Sequence, residues 1–244
     1  MNEFNIHPGT KLAGELRKLY LQKKYDMNGA SMVFSGPGLV VGGVFEDQVW
    51  EHPAVITAQE EGDVEKEMWL RNMISTAGRS VFRDQYVQVN GGLTPNLIVN
   101  DGLDFVLNVL FYSTTKISTW YYGPFTSNWT PAATAESNWA GVSSGPLATE
   151  LPNASFDESN RQAAVFGSAA SSQSITTSST TDITIATGIS GVSIYGHTLN
   201  EIATVGYNST DKILLAATRR SEALTGLAAG TVLKLGYTFG CAST

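Results

Sequence analysis

Few side chains in this sequence could do chemistry, and their spacing works against it. The three histidines, His7, His52 and His197, are scattered along the chain. A zinc or non-haem iron site needs at least two such ligands in register, and neither His-x-x-x-His nor His-Glu-x-x-His occurs. His197 falls in a predicted strand at the parity of Tyr195, where a solvent-facing or sheet-paired ring is expected. The single Cys241 excludes an internal disulfide and a cysteine-cluster metal site. Paired carboxylates remain: Asp101 with Asp104, and Asp157 with Glu158. Two carboxylates astride a glycosidic bond can act as acid and as nucleophile or base. Each pair has a simpler reading, the first at a helix start where carboxylates satisfy free N–H groups, the second in a turn before Arg161. The Gly-rich run Phe34–Gly43 lacks the Gly-Lys-Ser/Thr ending of a phosphate loop. No twelve-residue calcium loop is present. The residues therefore point to no catalytic, cofactor or metal site.

The elements that position these residues change character along the chain. Thr10 can cap a helix over 11–24, with Leu12, Leu16, Leu19 and Tyr20 on one face. A helix this short must dock on something to persist. The glycines and proline of 34–43 postpone any regular element to Leu39–Val44. Glu60–Ala77 reads as a second helix. Its early acids, Glu60, Glu61, Asp63, Glu65 and Glu67, complement the helix dipole, and Val64, Met68, Trp69 and Met73 form its apolar stripe. A third helix is capped by Asn100 or Asp101, with Leu103, Val106, Leu107 and Leu110 at helical spacing. Ile117–Phe125 is the first clear strand, rich in aromatic β-formers. The connection Phe125–Phe156 is long and polar, and such loops are commonly binding or assembly elements. Its Trp129 and Trp139 should lie on this body or on a neighbour. Strands follow at 162–166, 173–177, 181–187, 191–199, 212–218 and 231–239. In the last, Leu233, Leu235, Tyr237 and Phe239 alternate with Val232, Lys234, Gly236 and Thr238.

Composition narrows the class. Hydrophobic content is 42%, but charged residues make up just 15%, well below the usual quarter. That balance suits β-sheets and surfaces that meet other proteins, since interface cores are poor in charge. The net charge of −7 argues against nucleic acid as partner. No apolar run approaches the length of a membrane span, and Met1–Gly9 lacks the apolar segment of a secretion signal. The expectation is folding in the cytoplasm with neither a nucleic-acid nor a membrane partner.

Five segments, in order, resemble a group of small virion structural proteins of tailed bacteriophages, described as head decoration, cement or tail-fibre-like proteins. They are Asn96–Asp104 (NLIVNDGLD), Thr119–Gly123 (TWYYG), Thr130–Thr134 with Trp139–Gly141, Asn160–Ala164 leading into Phe166-Gly167, and Leu227–Phe239 (LAAGTVLKLGYTF). None is a catalytic signature; their order carries the likeness. The resemblance implies a non-enzymatic building block made in the host cytoplasm and built into the virion. It would form a homo-oligomer, such as a trimer, on the major capsid protein or on tail proteins. A tail or tail-fibre adaptor that binds a receptor is the alternative, and a phage carbohydrate-active enzyme a further one.

The expected fold is mainly β. A β-sandwich or jelly-roll-like domain, 93–244, opens with a short helix, and an N-terminal arm, 1–92, carries one or two helices and orders against neighbours. On this division residues 93–244 fold alone. The candidate interface residues are Leu12, Leu16, Leu19, Tyr20, Trp50, Trp69, Trp129 and Trp139. No cofactor is expected.

Overall fold

The computed structural model describes residues 39–77, 85–140, 148–167 and 174–243. The predicted helix over 11–24, with Leu12, Leu16, Leu19 and Tyr20, lies outside them. The fold is mainly β, as expected, with two antiparallel five-stranded sheets and three α-helices among the described residues.

The first strand, β1 (Leu39–Glu51), is longer than the glycine pattern allowed. Phe45, Asp47, Val49 and Glu51 are buried, while Glu46, Gln48 and Trp50 are less covered. Those three link side to side: Gln48 Nε2 donates to Glu46 Oε1 (2.7 Å) and Trp50 Nε1 to Gln48 Oε1 (2.9 Å). Beside β1 lies β2 (Val87–Pro95), and on its other side β10 (Val232–Ser243). The β1–β10 ladder runs from Leu39↔Ser243 to Trp50↔Val232. β6 (Ser174–Thr176) and β7 (Thr181–Thr184) both pair with β10 and complete this sheet. The second sheet has the order β3-β9-β8-β4-β5: β3 (Leu97–Ile98), β4 (Trp120–Phe125), β5 (Gln162–Ala164), β8 (Val192–Asn200) and β9 (Leu214–Leu227). β9 extends well beyond the expected 212–218, and bulges shift its register against β8.

One buried cluster joins both sheets. Phe45, Val49, Ile183, Leu233, Leu235 and Tyr237 come from the first; Ile98, Trp120, Tyr122, Ile194, Leu199 and Leu224 come from the second. Leu233, Leu235 and Tyr237 of the last strand are buried as expected, but Val232 and Thr238 of the opposite parity are buried too, and Phe239 is only partly covered. Tyr237 accepts a hydrogen bond from Asn96 Nδ2 (2.8 Å), which satisfies the buried hydroxyl.

This architecture corrects the boundary at 92/93. Residues 39–77 and 85–92 are not an arm. They supply a central strand and an edge strand of the first sheet, because β1 finds its partner at the far end of the chain. No local signal could disclose that pairing.

The helices also depart from expectation. The predicted Glu60–Ala77 helix begins only at Val64, as α2 (Val64–Ala77), and a separate helix, α1 (Pro53–Glu60), precedes it. Gly62, at φ +70°, makes the turn between them, and Asp63 caps α2 by accepting from the Lys66 amide (2.9 Å). The stripe is reversed: Leu70 and Ile74 pack on Val55 and Ala58 with Met73 at the margin, whereas Val64, Met68 and Trp69 face outward. α3 (Asn100–Phe111) starts where predicted, but Val99 is its N-cap and makes no side-chain bond. Asp101 instead accepts from the Leu214 amide (2.8 Å). Gly102 lets the helix settle directly on the backbone of Leu215, where a Cβ would have no room.

Two measurements test this account. Residues 93–244 alone lack β1 and should show no cooperative thermal transition by circular dichroism; a sharp transition would restore the 92/93 boundary. In the 244-residue chain, Leu235→Ala should lower stability by about 2–5 kcal/mol, the usual cost of a large-to-small core change, read by urea unfolding.

Candidate functional site

The buried polar groups are the first place to look for chemistry. Asp47 lies on the core side of β1 between Phe45 and Val49. Its Oδ2 lies 2.9 Å from Nε2 of His197 on β8. An ionised carboxylate only accepts, so that ring nitrogen carries the proton. Oδ1 accepts from Arg220 Nη1 on β9 and from the Gly92 amide (3.1 Å). Burial opposes the charge on Asp47, but the hydrogen bond and charge of His197, with Arg220 added, outweigh it and hold the carboxyl below its ordinary value. Nδ1 of His197 is buried and finds no hydrogen-bond partner. His197 is therefore neither solvent-facing nor paired within its own sheet; it ties one sheet to the other. No reacting molecule reaches a ring with no exposed surface.

Two further ion pairs fasten outlying segments. Arg161 grips Glu150 through two bonds, Nε–Oε1 at 2.6 Å and Nη2–Oε2 at 2.9 Å. Glu150 also accepts from the Gly206 amide (2.7 Å), and Arg161 donates to the Ile202 carbonyl (3.1 Å). The guanidinium stands 5.3 Å from the Trp139 ring centre. Near α2, Arg71 binds Glu51 (3.0 Å), Glu67 (2.9 Å) and the Ala229 carbonyl (3.2 Å), while Thr231 donates to Glu51. Burial pushes the Glu51 carboxyl up in spite of Arg71.

The carboxylate pairs are occupied in a similar way. Asp101 holds the Leu214 amide, and its carboxyl is raised by burial, with Glu136, Asp104 and Glu201 adding to the effect. Asp104 is exposed. Glu158 accepts from both the amide (3.0 Å) and the hydroxyl (3.2 Å) of Thr184. Among the described residues no cluster of histidine, cysteine and carboxylate side chains could hold a metal ion, and no helix is long and apolar enough to cross a membrane.

The tryptophans separate into two kinds. Trp139 is fully buried, donates to Asn200 Oδ1 (2.7 Å), and stacks on Trp129 with ring centres 5.8 Å apart. Both pack with Phe125, so the long connection is a limb of this body. Trp129 keeps part of its surface in solvent. Trp50 is half-covered, with the Lys234 ammonium 5.2 Å from its ring centre. Trp69 on α2 is 62% exposed, beside the equally exposed Met68 and Val64.

A second apolar surface was missed because its spacing read as core. Leu103, Phe105 and Val106 of α3 do pack inward. Leu107, Leu110, Phe111 and Tyr112 point out, the last two 82% and 77% exposed. The helix is apolar around too much of its circumference for one face to bury, and that excess was the available signal. Val87 and Val89 are also exposed, on the edge strand β2. Surfaces of this kind mark contacts between proteins.

The central ion cluster makes stability depend on pH with a definite sign. Asp47 titrates lower in the folded chain than its ordinary 3.8. Its contribution is complete above that value and disappears as pH falls through the folded pKa. Asp47→Asn should flatten this acid limb and lower stability at neutral pH by about 3–5 kcal/mol, because His197 and Arg220 lose a buried partner. Glu51 acts with the opposite sign, since its folded pKa is raised: it loses stability as pH rises through that value. Urea melts of both variants, with Glu51→Gln as the second, between pH 2.5 and 7 separate the two.

No family model matches the chain, and no curated protein matches its sequence.

Proposed function

We propose that this chain is a non-enzymatic structural protein of a tailed-phage virion that decorates or cements the capsid as a homo-oligomer. In this reading the two sheets form a jelly-roll-like sandwich, and the helices carry its contacts. One observation supports it most: the apolar side chains of α2 and α3 stand in solvent on a body whose buried charges are paired internally. Such a molecule gains by covering its helices with protein, because each apolar area removed from water contributes about 25 cal/mol per Å². The five resembling segments support the same reading. They fall on β3 and α3, on β4, in the tryptophan-bearing connection, on β5 and on β10. Several touch: β4 pairs with β5, and the Asn100 amide donates to the Ala133 carbonyl (2.8 Å).

Partners of this kind are the major capsid protein and sister copies. A tail or tail-fibre adaptor would use the same surfaces, with Trp129 as the one aromatic of the stacked pair left open to a receptor. Cryo-electron microscopy of particles from a phage that encodes the chain decides between them. Density for the two sheets on capsid faces is expected. Density at the tail alone would transfer the protein to the adaptor role, and its absence from the particle would overturn both readings.

A further inference from the structure

The outward face of α2 is apolar and acid-rimmed at once. Val64 and Met68 lie one helical turn apart, and Trp69 and Glu65 share the same side of the helix. Glu60, Glu61 and Asp63, all exposed, crowd the turn that leads into it. Lys66 pairs with Glu61 (2.8 Å), which leaves the rim strongly negative. The inward face is already committed to Val55, Ala58 and the Arg71 cluster. What could cover the outer face must bring apolar bulk flanked by positive charge.

The sequence before β1 contains such a segment. Residues 11–24 place Leu12, Leu16, Leu19 and Tyr20 at one helical face and carry Lys11, Arg17, Lys18, Lys23 and Lys24 against the lone acid Glu15. Chain geometry then says whose α2 it reaches. Leu39 opens β1, and α1–α2 follow its other end at Glu51. A strand of that length spans about 40 Å. A flexible chain as long as the intervening residues 25–38, which include Gly29, Gly36, Pro37 and Gly38, would span about 20 Å. Return to the chain's own α2 would demand nearly full extension.

We infer that residues 11–24 of one copy dock through Leu12, Leu16, Leu19 and Tyr20 onto the Val64–Met68–Trp69 face of α2 in a second copy, with the lysines and arginine against Glu60, Glu61, Asp63 and Glu65. This rests on the reading of the chain as an assembly protein and names the contact between its copies. Such an exchanged segment links subunits without altering either body, and its strength falls with salt as the charges are screened.

The test uses the 244-residue chain in solution, so it stands apart from whether the protein is found on a particle. Sedimentation velocity should show self-association that weakens at least tenfold in Leu16→Asp/Leu19→Asp and in Trp69→Glu. The first variant alters residues before the two-sheet body, so its melting transition should match that of the parent chain at concentrations low enough for both to be monomeric. Carbodiimide cross-linking of mixed 15N-labelled and unlabelled chains should join Lys18 or Lys23 to Glu61, Asp63 or Glu65 in mixed-isotope peptides. Cross-links confined to one isotope would place the segment on its own copy and overturn the exchange. Self-association indifferent to both variants, or a monomeric parent chain, would overturn it as well.

Discussion

The ladder between β1 and β10 brings together residues almost two hundred positions apart, from Leu39↔Ser243 to Trp50↔Val232. Everything in the first sheet is arranged about it: β2 lies along β1, while β6 and β7 share the other side of β10. Closing so long a loop costs entropy that grows only slowly with length. The gain is concentrated, because Phe45 and Val49 meet Leu233, Leu235 and Tyr237 in the common core. The chain alternates between sheets as it runs, β1–β2 in one, β3–β5 in the other, back for β6–β7, over for β8–β9, and home for β10. The first sheet cannot be completed before β10 exists, nor the second before β9. Such non-local topologies fold slowly.

Buried charge then fixes how the layers and limbs sit on this frame. Asp47, His197 and Arg220 connect the sheets; Glu150 and Arg161 clamp the long connection; Glu51 and Arg71 seat the helical pair. Apolar packing tolerates small slides, whereas a buried charge tolerates no loss of its partner. Three such pairs at three seams favour one arrangement over its near neighbours. These groups make their hydrogen bonds within the protein, apart from Nδ1 of His197, which has no partner.

Outside, the design is reversed. α2 and α3 each bury one face and expose another that is apolar. A monomer with these faces open is less soluble than it need be. The proposed role as an assembly protein would account for these faces, and the low fraction of charged residues agrees with it.

Much of the β character was legible in the residues alone. The alternation Leu233-Lys234-Leu235-Gly236-Tyr237 fixed the parity of β10, and the aromatic run Trp120–Tyr122 marked β4, because strand periodicity is a local property. The absence of histidine or cysteine in metal-binding register was equally plain. Three things required tertiary structure. β1 was obscured by its glycines and became a strand through a partner at the other end of the chain. Asp47 interrupts Phe45 and Val49 on the core face, a break in pattern that has meaning only once His197 and Arg220 arrive from the opposite sheet. On α2 two apolar stripes competed, Val64–Met68–Trp69 and Leu70–Met73–Ile74, and the choice fell to the stripe that α1 could cover. Periodicity states that a face is apolar; only the neighbours in space decide whether it is buried.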